Sequence, residues 1–133
     1  PVEFQPGAVG NSRRLRLSGK QHILVSGWRV ELLFASDAAL IKSAHLVNGD
    51  TIKRVPVAEI EYTDILCDRH EIIVVDGCRS ETFFPTERNL TLLDPAARKQ
   101  LGEQFPELDW CIDTYGASAR HCLTAREAML LLS

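Results

Sequence analysis

Apolar and polar positions alternate most tellingly in YTDILCDRHEIIVVDG, residues 62–77. Ile60, Tyr62, Ile65 and Leu66 mark one apolar arm, and Ile72, Ile73, Val74 and Val75 mark a second. The pattern predicts a strand, a tight polar corner and a second strand. The corner holds Cys67, Asp68, Arg69, His70 and Glu71, and four of these five side chains titrate or coordinate metals. Such a cluster at the ends of buried strands is costly unless it is hydrogen-bonded or used. A charged hairpin tip is the plain alternative.

Residues 1–12 carry Pro1, Pro6, Gly7, Gly10 and Asn11, and read as a connection entering a domain. Residues 13–17 alternate like a half-buried strand. Residues 22–34 read as a strand pair, ILV and WRVELLF, divided at Ser26-Gly27. Ser36-Asp37 could cap a short helix through Ala44, although Ala-Leu-Ile also fits a strand. Asn48-Gly49-Asp50 is a turn, and residues 51–55 and 57–67 read as strands broken at Pro56. Residues 72–75 follow, then a turn at Asp76-Gly77 and a last short strand over 81–84.

From there the period becomes helical. Asp94-Pro95 starts one helix, which Pro106 stops, and Thr124-Ala125-Arg126-Glu127 is a capping box opening another. About eight short strands and then two helices imply a mainly β fold in one domain, with residues 1–84 as a β-rich body and 85–133 as a helical tail.

Composition narrows the partners. The 133 residues are 45% hydrophobic and 25% charged, enough for a core without metal or disulfide staples. A net charge of −3 argues against a nucleic-acid or anionic-membrane partner, and Arg13-Arg14-Leu15-Arg16 reads as a solvated strand edge. The apolar runs fall short of the about 20 residues a bilayer span needs. PVEFQPGAVG has neither the basic nor the apolar region of a signal peptide, and Pro1 in place of an initiator Met reads as the cut end of something longer. Cys67, Cys78, Cys111 and Cys122 lack CxxC spacing; Cys111 and Cys122 could pair in an exported protein, or stay separate buried thiols. A metal site from His22, His45, His70 and Cys67 has little support in spacing.

Two polar sites remain: Ser18-Gly19-Lys20-Gln21-His22 leading into an apolar strand, and the Asp64 to His70 cluster. Two histidines and an acid on separate strands suit acid–base chemistry near neutral pH. The blocks FQPGAVGNSRRLRLSGKQHILV, ALIKSAHLVNGDTI, YTDILCDRHEIIVVDGCRSETFFP, EQFPEL and ARHCLTAREAMLLL occur in an order that resembles the Hint (Hedgehog/intein) domains in their bacterial stand-alone form. The resemblance implies a compact, horseshoe-like β-fold with two short C-terminal helices.

It also implies autoprocessing: a Cys or Ser nucleophile attacks the carbonyl before it, giving a (thio)ester that a second nucleophile resolves. On this resemblance His22 is the block histidine that polarises or protonates the scissile amide. Asp64 handles the nucleophile's proton, His70 is the second histidine, and Asp68 orients it or caps the turn. Ser18 is the nearest hydroxyl to the family's Ser/Thr, but it stands four residues before His22, and Gly19 occupies the three-residue position. No cofactor is implied. The family's nucleophile segment is expected upstream of Pro1, so this chain reads as a C-terminal portion, inactive alone. Its partner is then that upstream segment or a complementing fragment, bound by strand addition, with self-association through the same open edges. The absence of a closing His-Asn pair favours cleavage over splicing. A non-catalytic Hint-derived binding or assembly module is the other reading. The autoprocessing reading requires His22 and Asp64 to converge on one peptide bond.

Overall fold

A computed structural model describes residues 1–63, 65–104 and 117–133. It is β-rich, with two antiparallel sheets and a few short helices, as a Hint-like β fold requires. The first sheet has β1 (Val2–Phe4) at its centre, flanked by β2 (Leu15–Leu17) and β5 (Ile52–Arg54). Residues 2–4 are thus a central strand, not part of a connection. Period-two alternation explains why: Val2 and Phe4 are fully buried, while Glu3 lies on the other face and pairs with Arg16 at 2.8 Å. Leu15, Ile52, Ile23 and Cys78 complete this core.

The second sheet runs β4 (Ala38–Lys42), β3 (His22–Ser26), β7 (Cys78–Glu81), β6 (Ile72–Val75). Residues 38–42 take the strand alternative rather than a helix, and four of the five are buried. A strand covered on both faces loses the polar alternation that would mark it. The hairpin is β6–β7 around Asp76-Gly77, not a pairing of residues 57–67 with 72–75. Both turn residues have positive φ, +48° and +87°, the requirement of a two-residue type I′ turn. The loop at Gly10 packs on this tip so closely that a Cβ on Gly77 would lie 2.6 Å from the Gly10 carbonyl oxygen. Ser12 N–H donates to Asp76 O at 2.7 Å.

Three further expectations are corrected. WRVELLF is a helix, α1 (Trp28–Phe34), because Val30, Leu33 and Phe34 at i, i+3, i+4 make one apolar face against the second core. Among the described residues of 57–67 no strand forms. The last strand ends at Glu81 rather than crossing 81–84.

Helices α2 (Glu87–Thr91), α3 (Pro95–Gln104) and α4 (Ala125–Leu132) follow. Asp94 Oδ1 accepts from Ala97 N–H at 2.7 Å, and the Thr124–Glu127 capping box forms with both bonds. Leu123, Ala128 and Leu131 pack with Val30, Ala39 and Ile41 in the second core. Cys111, the suggested partner of Cys122, and the Pro106 stop fall outside the described residues.

Candidate functional site

Register alone brings the site together. Ile23 stands opposite Ser80 across β3–β7, and Ile72 stands opposite Glu81 across β6–β7. His22, the start of β6 and the end of β7 therefore meet at one end of the second sheet. Glu81 is the hub. Its Oε1 accepts from His22 N–H at 2.9 Å and faces His22 Nδ1 at 2.7 Å; its Oε2 faces His70 Nε2 at 2.8 Å.

Burial of Glu81 opposes its ionisation, but the hydrogen bonds from His22 and His70 outweigh that and hold its carboxyl at about 2, below the ordinary 4.5. An ionised carboxylate only accepts, so both facing ring nitrogens carry hydrogen. His22 thus has its hydrogen on Nδ1, and Nε2 is left for other chemistry on a ring 17% exposed. The His70 side chain is fully buried, with the Phe84 ring 4.9 Å away. Its Nδ1 accepts from Ala119 N–H at 2.8 Å, so both its nitrogens are occupied.

Neighbouring bonds fix the frame. Gln21 Nε2 donates to Ser80 Oγ at 2.8 Å and to Glu81 O at 3.0 Å, and Ser80 Oγ donates to His22 O at 2.9 Å. The buried Thr82 hydroxyl accepts from Glu71 N–H at 2.9 Å, holding the His70 corner against the end of β7. These bonds satisfy polar groups that would otherwise be buried without partners.

Of the residues singled out from sequence, His22 and His70 come together on one carboxylate. Asp64 lies outside the described residues. Asp68 is exposed, and the groups that orient His70 are Glu81 and Ala119. Ser18 closes a local turn: its carbonyl accepts from Gln21 N–H at 3.0 Å and its hydroxyl from Lys20 N–H at 3.3 Å. A Cβ at Gly19 would sit 3.3 Å from Ala44 Cβ, so a hydroxyl residue there needs the 3-10 turn at Ser43–Leu46 to give way.

Glu81 is the functional candidate that sequence reasoning missed. The signal was present, because a two-residue turn at Asp76-Gly77 places position 81 opposite position 72, beside His70.

The thiols lean away from nucleophilic use. Cys78 is fully buried, and burial pushes its thiol up despite Arg79 nearby. Burial also raises the Cys122 thiol, which contacts Ser118. Among the described residues no three His, Cys, Asp or Glu side chains form a group that could hold a metal ion. A cleft of about 490 Å³, lined by Tyr62, Leu66, Phe83 and Leu101 among others, contains neither His22 nor His70 nor Glu81.

One of the comparisons with known proteins identifies a family. The Hint domain family model matches residues 1–87. That span includes the seven strands of the described residues, His22, His70 and Glu81. No curated protein and no solved structure matches. That match, over more than half of the chain, places it in the Hint domain family.

Proposed function

We propose that the chain supplies the acid–base machinery of an autoprocessing Hint module, with His22 and Glu81 as the working pair. The reaction is an N–S or N–O acyl shift. The nucleophile's S–H or O–H attacks the preceding carbonyl, a C–S or C–O bond forms, the C–N bond breaks, and the nitrogen leaves protonated. His22 Nε2 takes the nucleophile's proton and returns it to the departing nitrogen. Glu81 holds the ring in the required tautomer and neutralises the imidazolium formed between the two transfers, as the buried carboxylate does in Ser-His-Asp triads. His70, with both nitrogens engaged, positions Glu81.

The observation that carries this reading is the shared carboxylate, 2.7 Å from His22 and 2.8 Å from His70. The role that the resemblance gives Asp64, handling the nucleophile's proton, stands here as a proposal beside that of His22. Ser18 and Asp68 are assigned no step. The nucleophile comes from a preceding segment, which adds to the sheets through an open edge such as β6, where Val74 is 68% exposed.

The test is a longer chain that supplies the nucleophile, followed on a gel for self-cleavage. His22→Ala and Glu81→Gln should each slow cleavage by about 10²–10⁴-fold, while Ser18→Ala and Asp68→Ala leave it near wild type. Cleavage at the wild-type rate in both site variants would refute the assignment. One observation favours a second reading, a non-catalytic Hint-derived binding or assembly module: Gly19 has no hydroxyl and little room for one. A longer chain that stays whole under thiol treatment would support that reading.

A further inference from the structure

The tail beyond the family-matched residues reaches the site. Residues 121–123 run parallel along the outer edge of β4, with Leu40 N–H donating to His121 O and Leu123 N–H donating to Leu40 O, both at 2.8 Å. Arg120 pairs with Asp37 at 2.6 Å, and Leu123, Ala128 and Leu131 are buried in the second core. From this docked position Ala119 presents its N–H to His70 Nδ1 at 2.8 Å.

A backbone N–H only donates. His70 Nδ1 must therefore hold a lone pair, the ring is neutral, and its hydrogen sits on Nε2 towards Glu81 Oε2. A doubly protonated ring would set N–H against N–H at Ala119. The Phe84 ring, with its centroid 4.9 Å from that of His70, carries no charge. Glu81 thus receives a hydrogen bond but no positive charge from His70.

We propose that the Ala119 amide is a positioning group for the His22–Glu81 pair: by fixing His70 as a neutral Nε2–H donor, docking of the tail on β4 sets how Glu81 is held. The site is then complete only when residues outside the family-matched span are in place. The consequence for catalysis rests on the acid–base reading above; the tautomer assignment does not.

The experiment is imidazole ¹H–¹⁵N NMR on the labelled full chain. The expected spectrum has His70 Nε2 in the protonated range and Nδ1 in the unprotonated range, with the hydrogen of His22 on Nδ1. Ala119→Pro deletes the donor, and the His70 nitrogens should shift towards tautomer exchange or double protonation. Ala119→Gly keeps the N–H and should keep the wild-type spectrum. Amide exchange at Leu123 reports whether the tail stays docked in Ala119→Pro. Docked or released, the His70 signature must change, and an unchanged signature overturns the proposal. A hydrogen on His70 Nδ1 in the wild-type chain overturns it without any variant. If the spectra are as expected but His22→Ala cleaves normally in the longer chain, the tautomer assignment stands and the acid–base reading fails.

Discussion

The β3–β7 junction and residues 57–69 look alike in sequence, each mixing apolar side chains with titratable ones, and the fold treats them oppositely. At the junction Glu81, His22 and His70 share one set of bonds, and Ser80 and Thr82 are buried with their hydroxyls satisfied. Along 57–69, Ile60, Tyr62 and Ile65 are 37%, 44% and 52% exposed, Asp68 is exposed, and Arg69 meets Glu71 only at a long 3.8 Å. Ladder register makes the difference. β7 has a strand on both sides, whereas the 57–67 stretch is tied by single bonds such as Phe83 N–H to Ile65 O at 2.7 Å. An apolar strand run is held to one face where a neighbouring strand fixes its alternation.

The sharpest break of that contrast is Glu81→Ala. It leaves the buried His70 ring and the half-buried His22 ring without their acceptor and should cost about 3–5 kcal/mol in denaturant unfolding, the range for removing one partner of a buried pair. A loss under 1 kcal/mol would mean the junction is no better determined than the loop.

Acid titration should come next in size. The folded Glu81 carboxyl lies at about 2 and its ordinary value is 4.5, so its ionised form stabilises the fold. That contribution, about 3 kcal/mol, is fully present above the ordinary value and is lost as pH falls from about 5 through about 2. Urea midpoints across this range should fall in wild type, and Glu81→Gln should lack this component.

Gly77→Ala probes the hairpin tip that sets the register. It forces a positive φ on alanine and drives Cβ into the Gly10 carbonyl, so the cost should exceed about 1 kcal/mol. Ile65→Ala, in the exposed stretch, should change stability by no more than about 0.5 kcal/mol. A larger loss would show that this stretch is packed in solution.

Much of this was legible beforehand. Period-two alternation marked residues 15–17, apolar side chains between turn signals marked 52–54 and 72–75, and the capping residues marked the starts of α3 and α4. His22 and His70 were picked out by chemistry, and they do meet. Two kinds of information were hidden. Seven residues such as WRVELLF fit both periods, and only packing on the second core selects the helix. A glutamate in CRSE reads as a solvent-facing strand residue until the register with both neighbouring strands is counted. The Ala119 bond to His70 spans 49 positions, and no local pattern announces it.

The central claim is that one ionised carboxylate is shared by two histidines. Titration of the Glu81 side-chain carbonyl by ¹³C NMR tests it most directly. A shared, ionised carboxylate gives a midpoint near 2, with the His22 and His70 ring signals responding to the same transition. A midpoint near the ordinary 4.5, with both rings indifferent to it, would mean that Glu81 is not shared by the two histidines.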